Sequence, residues 1–91
     1  MEFEWDPAKA ESNFEKHEVS FDEAATTFGD SLSLAIPDPD HSDEEERFVL
    51  LGESFAGRLL VVVHTERGER IRIISARLAT RTERLAYEEG E

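Results

Sequence analysis

The spacing of hydrophobic positions changes from helical to strand-like near residue 32. Before that point, Asp6-Pro7 has the pattern of a helix N-cap followed by a proline in the first turn, which predicts a helix from about residue 7 to 17. Ser20 to Glu23 fits the capping box, and Gly29 offers a left-handed stop. A second, short helix is therefore predicted between them.

From Leu32 onward, apolar and polar residues alternate with a period of two, which is typical of half-buried strands. The short links between the later segments favour antiparallel neighbours in a meander. Thr80 to Glu83 repeats the capping-box pattern and predicts a last helix that ends near Gly90. The predicted strands cover residues 32–36, 47–51, 58–65 and 70–76. The predicted fold class is α+β: a single domain over residues 1–91 with two N-terminal helices, a four-stranded antiparallel sheet and a C-terminal helix.

The composition excludes several classes of protein. The chain has no cysteine, which rules out disulfide scaffolds, thiolate zinc sites and cysteine nucleophiles. The longest apolar run, Leu59 to Val63, is far shorter than the roughly 20 residues that span a bilayer. The first residues show neither a basic segment nor an apolar segment of the kind found in signal peptides. We therefore expect a cytoplasmic protein without membrane association.

The charge is strongly acidic overall but unevenly distributed. The formal net charge is −12, which taken alone argues against a nucleic-acid partner. Residues 1–46 contain 15 acidic residues and two lysines, whereas residues 58–84 contain seven arginines and three glutamates. Because local potential decides anion binding within about 8 Å at physiological salt, the arginine-rich segment remains a possible anion site.

The segment from Val63 to Arg72 contains a histidine, two glutamates and three arginines. RNA cleavage needs a base for the 2′-hydroxyl, an acid for the leaving 5′-oxygen and positive charge for the phosphorane between them. Histidine, glutamate and arginine can supply all three without a metal or another cofactor. The alternative interpretation is an exposed hairpin tip with ordinary solvated charges.

The register of this hairpin decides which of its side chains share a face. A two-residue loop at Arg67-Gly68 would place His64 opposite Ile71 and on the face away from Arg70 and Arg72. A three-residue loop would place His64 opposite Arg72 instead. The sequence leaves both alternatives open, because a shift of one residue reverses every side chain.

Two further clusters also have two interpretations. Lys16-His17 ends the first predicted helix, where a basic pair either reaches toward a substrate or compensates the helix dipole. Asp38, Asp40, His41 and Asp43 carry metal-ligand side chains, but they lack the fixed spacing that would hold three ligands on one ion. A charge-rich solvated loop is the favoured interpretation there, and no metal site is predicted.

Several motifs distributed over nearly the whole chain resemble the BrnT toxins of bacterial type II toxin–antitoxin systems. Their order and spacing carry the resemblance more than any one of them does. The motifs are Phe3-Glu-Trp-Asp6, Lys9, Asn13, Lys16-His17, Val19-Ser-Phe21, Glu23-Ala24, Asp30, Asp40-His41, Glu46-Arg47, Gly57-Arg58-Leu59, Arg70-Ile-Arg-Ile-Ile-Ser-Ala-Arg77, Ala79 and Glu83.

The resemblance implies a fold related to RelE ribonucleases and metal-independent cleavage of RNA. It also implies neutralisation by a BrnA-like antitoxin with a ribbon-helix-helix DNA-binding segment, so that DNA is contacted only through that partner. The catalytic residues that it implies are His64, Glu66, Arg72 and Arg77, and the RNA-binding residues are Lys16, His17, Arg70 and Arg81.

Two other functions compete with the toxin ribonuclease. The final segment is less basic than the resemblance leads one to expect, with Leu78, Thr82, Leu85 and Ala86 among its arginines. That departure favours an interaction module that binds the antitoxin without cutting RNA. The second alternative is a metal-dependent hydrolase centred on Asp40 and His41.

Overall fold

A computed structural model describes residues 1–37 and 46–90 of the chain. Within these residues there are three helices and five strands, and a 3₁₀ turn at Thr27–Gly29 follows the second helix. No helix within the described residues is long and apolar enough to cross a membrane. In chain order the elements are β1 (Glu2–Glu4), α1 (Pro7–His17), α2 (Phe21–Thr26), β2 (Leu34–Pro37), β3 (Arg47–Glu53), β4 (Leu59–Arg67), β5 (Arg70–Leu78) and α3 (Arg81–Glu89).

The predicted N-caps of the helices are confirmed. The Asp6 side chain accepts the Ala8 N–H at 2.8 Å, and the Ser20 hydroxyl accepts the Glu23 N–H at 3.0 Å. These contacts satisfy amide groups that the first turn of a helix leaves without backbone partners. The predicted left-handed stop at Gly29 is wrong, because the left-handed residue of this region is Glu18, which ends α1 with φ 57°.

The sheet has five strands in the order β1-β5-β4-β3-β2 and is mixed, not purely antiparallel. The antiparallel meander of β2 to β5 is confirmed. The prediction of four strands is wrong, because β1 adds a parallel strand beside β5. Three residues are too few for a periodic pattern, so β1 depends on tertiary contacts such as the ring of Phe3, which packs 5.2 Å from that of Phe28.

The core lies between the sheet and the first two helices. α1 and α2 cover one face of the sheet, which we call the helix face. Its buried strand residues are Leu50, Leu60, Val62, Ile73 and Ala76, and they pack against Val19, Phe21 and Ala24. The opposite face carries Arg70, Arg72 and Arg77 of β5, and we call it the arginine face.

α3 lies against the arginine face at the β2–β3 side of the sheet. None of its residues is fully buried, and an apolar cavity of about 190 Å³ separates it from the strands. The Tyr87 hydroxyl donates to Asp30 at 2.6 Å, and this bond ties the helix to the loop before β2. The residues that line the cavity are Leu34, Val49, Leu51, Val61, Glu83 and Ala86.

A β-bulge interrupts the pairing of β4 with β5. Val63 pairs with Ser75 and His64 pairs with Ile73, so Ile74 is an extra residue on β5. Side chains five residues apart on a regular strand point to opposite faces. The extra residue shifts the alternation by one position. Arg72 and Arg77 therefore both lie on the arginine face.

Several polar residues within the motifs that carry the family resemblance hold the layers together. Asn13 is buried, donates to the carbonyls of Val19 (3.0 Å) and Ala76 (2.8 Å), and accepts the Ala76 N–H (3.1 Å). This amide satisfies otherwise unpaired backbone groups between α1 and β5. Arg58 hydrogen-bonds Glu23 of α2, and this contact lowers the pKa of the Glu23 carboxyl group. These positions therefore have structural roles.

Candidate functional site

The parallel strand β1 places two carboxylates beside the arginines of β5. Glu4 is in register with Arg72, and its Oε2 lies 3.1 Å from Nη1 of that arginine. Nε of Arg70 lies 3.3 Å from Oε1 of Glu2, and Nη1 of Arg70 lies 3.6 Å from Oε1 of Glu4. The Arg72 side chain is 30% exposed, so this pair lies at the edge of solvent, where water still screens part of the attraction. An anion that binds here meets arginines already held in place by carboxylates.

At the other end of β5, Arg77 makes a bidentate ion pair with Glu83 of α3. The two contacts measure 2.8 and 2.9 Å, and Glu83 Oε1 also accepts the Thr80 N–H at 2.8 Å in a complete capping box. The Arg77 guanidinium lowers the pKa of Glu83 to about 2, and the same bond raises the pKa of Arg77. Both groups are therefore charged at neutral pH, and the pair connects α3 to the sheet.

The arginines form a strip along the strand instead of one compact cluster. Arg72 pairs with Thr65 and Arg77 pairs with Val61, four residues apart on β4. At about 3.3 Å per residue, the two positions are separated by roughly 13 Å along the strand. A flexible chain of phosphates could therefore contact both arginines, whereas a single small anion could not.

His64 lies on the helix face and not with the arginines. His64 is 4% exposed. The centroid of its ring lies 4.8 Å from the ring centroid of Phe28 and 5.9 Å from that of Phe48. The hairpin loop is Gly68-Glu69, with Gly68 at φ 61°, so neither loop considered from the sequence is the one observed. Together with the bulge, this loop places His64 opposite Ile73 and out of reach of Arg72.

Burial lowers the pKa of His64, because a charged imidazole would lose its hydration among aromatic rings. The Val62 carbonyl, 3.5 Å from Nδ1, and the Glu66 carboxylate partly oppose this shift. His64 is therefore neutral at physiological pH. Its placement fits a core residue better than a proton donor to a substrate.

The other predicted site residues are dispersed over the molecule. Glu66 is exposed near the hairpin tip, in register with Ile71 of the helix face. Lys16 and His17 form the last turn of α1, which belongs to the helix layer. Arg81 is exposed at the start of α3, on the side of the arginine face. The structure thus brings together Arg70 and Arg72, and it adds Arg77 and Arg81 farther along the same side.

Sequence reasoning missed the carboxylates that pair with these arginines. Glu2 and Glu4 alternate with Phe3, but three residues are too few to predict a strand from their period. Glu83 is predicted from the sequence as a helix-capping residue and belongs to the family motif, but it is not predicted as the partner of Arg77. Among the described residues, no three histidine, cysteine, aspartate or glutamate side chains gather as metal ligands would. Asp38, Asp40, His41 and Asp43 lie outside the described residues.

Comparison with known proteins identifies the family. The family described as "Ribonuclease toxin, BrnT, of type II toxin-antitoxin system" matches residues 5–83. The chain belongs to the BrnT family. The 1.1 Å crystal structure of the Brucella abortus ribonuclease toxin BrnT is similar to this fold, with a TM-score of 0.66 and 25% sequence identity, over 89% of this chain and 99% of that chain. No curated protein matches the sequence.

The family assignment confirms the resemblance seen in the sequence and adds a class of activity. BrnT proteins are ribonuclease toxins of toxin–antitoxin systems, which implies an antitoxin as partner. In this BrnT-family chain, the surface that best matches the chemistry of a polyanionic substrate is the arginine face, since phosphates are held by arginine donors.

The burial of His64 leads to a prediction about stability. Since the pKa of folded His64 is lowered, the unfolded chain takes up a proton near pH 6.5 while the folded protein does not. The contribution of neutral His64 to the free energy of unfolding is therefore present above that pH and is lost as the pH falls. We expect the His64→Phe variant, which keeps a ring against Phe48, to lose less stability than wild type between about pH 7.5 and about pH 5.5. Denaturant unfolding midpoints measure this, and equal losses in both proteins would contradict it.

Proposed function

We propose that this chain is a metal-independent endoribonuclease that inhibits translation by cutting RNA and is neutralised by a BrnA-like antitoxin. The observation that carries the proposal is the common facing of Arg70, Arg72 and Arg77 on one side of the sheet, in a family of ribonuclease toxins. A relation of the fold to RelE ribonucleases belongs to the same proposal. Since the proposed substrate is cellular RNA, the proposed site of action is the cytoplasm.

In the proposed reaction, the substrate's own 2′-hydroxyl oxygen attacks the adjacent phosphorus. The bond from phosphorus to the 5′-oxygen breaks, and the products are a 2′,3′-cyclic phosphate and a free 5′-hydroxyl group. A base takes the proton of the 2′-hydroxyl, and an acid supplies one to the leaving oxygen. No metal is needed to activate water, because water is not the nucleophile.

The proposed role of the arginines is to stabilise the negative charge that develops on the phosphorane. Arg72 uses only one of its guanidinium nitrogens in the bond to Glu4, which leaves further N–H groups for phosphate oxygens. Arg77 is held in position by Glu83. Donors positioned in advance are effective, since little reorganisation is needed as charge develops.

The candidates for proton transfer differ in access. Both residues occupy helix-face positions of β4, but Glu66 is exposed at the hairpin tip, whereas His64 is 4% exposed and packed under the helices. The proposal therefore keeps Glu66 as a candidate and gives His64 a structural role. Lys16, His17, Arg70 and Arg81 remain proposed contacts to RNA, of which Arg70 lies on the same face as the proposed chemistry.

One prediction of the proposed function concerns cleavage. The purified protein, freed of its partner, should cut single-stranded RNA in the presence of a chelator and leave a 2′,3′-cyclic phosphate. Arg72→Ala and Arg77→Ala should each lower the rate by about 10²-fold or more, because each removes a donor to the transition state. Arg84→Ala on exposed α3 is the control and should retain activity, since it removes the same charge elsewhere.

The same assay separates the competing functions. Activity that is lost with chelator and restored by a divalent cation would favour a metal-dependent hydrolase instead. Folded protein that cuts no RNA under any condition would favour an interaction module. The ion pairs that hold Arg72 and Arg77 support that second candidate, because each arginine already has a carboxylate partner.

The proposed partner is a small basic protein with a ribbon-helix-helix segment that contacts DNA on behalf of the complex. Membership of a toxin–antitoxin family supports an antitoxin, and the net charge of −12 supports a basic one. Long-range attraction between opposite charges increases the rate of encounter.

A further prediction concerns this partner. Co-expression with the product of the adjacent gene should give a stable complex and relieve growth arrest. The association rate, measured by stopped-flow mixing, should fall as salt rises, since added ions screen the attraction. Failure to co-purify at every ionic strength would contradict the proposal.

A further inference from the structure

We propose that Arg47, Thr65 and Arg72 form a subsite for one backbone phosphate of RNA on the arginine face. The inference rests on the proposed function, because it names where that substrate is held. It adds two residues, Arg47 and Thr65, that neither the sequence motifs nor the family match assigns to a site.

The three residues form a row across adjacent strands. Thr65 of β4 pairs with Arg47 of β3 on one side and with Arg72 of β5 on the other. Side chains at paired positions project from the same face of a sheet, and neighbouring strands lie about 4.8 Å apart. The two arginines therefore flank Thr65 with Cα atoms separated by roughly 10 Å. Two long side chains at that separation can converge on one group above the threonine.

The Thr65 hydroxyl provides an independent observation. Thr65 is 1% exposed, and its Oγ1 is the one buried side-chain polar atom with no hydrogen-bond partner among the described residues. Such an atom costs about 1–3 kcal/mol relative to a satisfied one. By contrast, the equally buried Thr27 donates its hydroxyl to the Ala24 carbonyl at 2.7 Å. An unsatisfied donor between two arginines is explained by a ligand that accepts from it once the side chains that cover it in the free protein move onto that ligand.

The neighbours of Thr65 along β4 strengthen this argument. Val61 and Val63 occupy the same face, so a valine at position 65 would continue the apolar row. Valine would fill the same volume without an unsatisfied hydroxyl, so packing alone does not explain threonine at this position. The Thr65 hydroxyl forms a hydrogen bond only when a polar group of a ligand lies above it.

The arginines leave donors for that group. Within the described residues, Arg47 makes no ion pair, and Arg72 contacts Glu4 through Nη1 only. The Glu4 carboxylate that contacts Arg72 also lies 4.0 Å from Nη1 of Arg67 on β4. It leaves Nε and Nη2 of Arg72 without an ion pair within the described residues. A phosphodiester has two charged oxygens that can accept from two guanidinium groups and one hydroxyl at the same time.

The test is binding of an uncleavable RNA. A fluorescein-labelled oligonucleotide with 2′-O-methyl groups lacks the nucleophile, so its anisotropy reports affinity without cleavage. We expect Thr65→Val and Arg47→Ala each to weaken binding by about tenfold, since a hydrogen bond to a charged group contributes more than about 1.4 kcal/mol. Thr65→Val should at the same time leave the thermal midpoint unchanged or raise it, because it removes an unsatisfied donor.

Two control variants show whether these effects are specific. Thr27→Val removes a satisfied hydroxyl far from the row, so it should lower the thermal midpoint and leave RNA affinity unchanged. Arg84→Ala removes one positive charge outside the row and should change affinity by less than about twofold. Inorganic phosphate should compete only weakly, since it lacks the neighbouring phosphates that contact Arg70 and Arg77.

The outcomes distinguish the subsite from the proposed function. Thr65→Val with wild-type affinity, or with a lowered thermal midpoint, would overturn the subsite even if the wild type cuts RNA. Inorganic phosphate that binds as tightly as the oligonucleotide would overturn the assignment to RNA. Weakened binding in both row variants would support the subsite even if the wild type proves unable to cut, in which case the proposed catalytic function alone fails.

Discussion

One extra residue in β5, Ile74, determines which face each side chain of the β4–β5 hairpin takes. Strands alternate strictly, so residues 72 and 77 of a regular β5 would point in opposite directions. The bulge shifts the alternation once, so both arginines face away from the helices while Ile73 and Ala76 remain in the core. The same shift places His64 beside Ile73. The core and the charged surface therefore depend on the same local irregularity.

Carboxylates from two other elements hold the arginine face in place. Glu4 of β1 pairs with Arg72, and Glu83 of α3 pairs with Arg77. Such pairs restrict the motion of long side chains. Less side-chain entropy is therefore lost when a substrate binds. They also compete with an anion for the same donors. The acidic character of the chain therefore affects the site directly, through ion pairs with its arginines, as well as through its net charge of −12.

Local signals in the sequence predicted the helix starts and the antiparallel meander, because caps and period-two alternation act over a few residues. β1 was not predicted, since its pairing with Arg70 and Arg72 is a contact between distant parts of the chain. The bulge at Ile74 leaves no pattern of its own, so the facing of His64 stayed open. Arg72 and Arg77 were found by their type and motif, whereas Thr65 was visible only as a buried hydroxyl without a partner.

Binding of RNA to the arginine face can be located by NMR titration of the ¹⁵N-labelled protein with the 2′-O-methyl oligonucleotide. A ligand changes the chemical shifts of the amides nearest to it, whichever residues carry out the chemistry. If RNA binds the arginine face, the largest changes fall on β5 at Arg70, Arg72 and Arg77 and on Thr65 of β4. Changes confined to the end of α1, at Lys16 and His17, would place the RNA on the helix layer and contradict it.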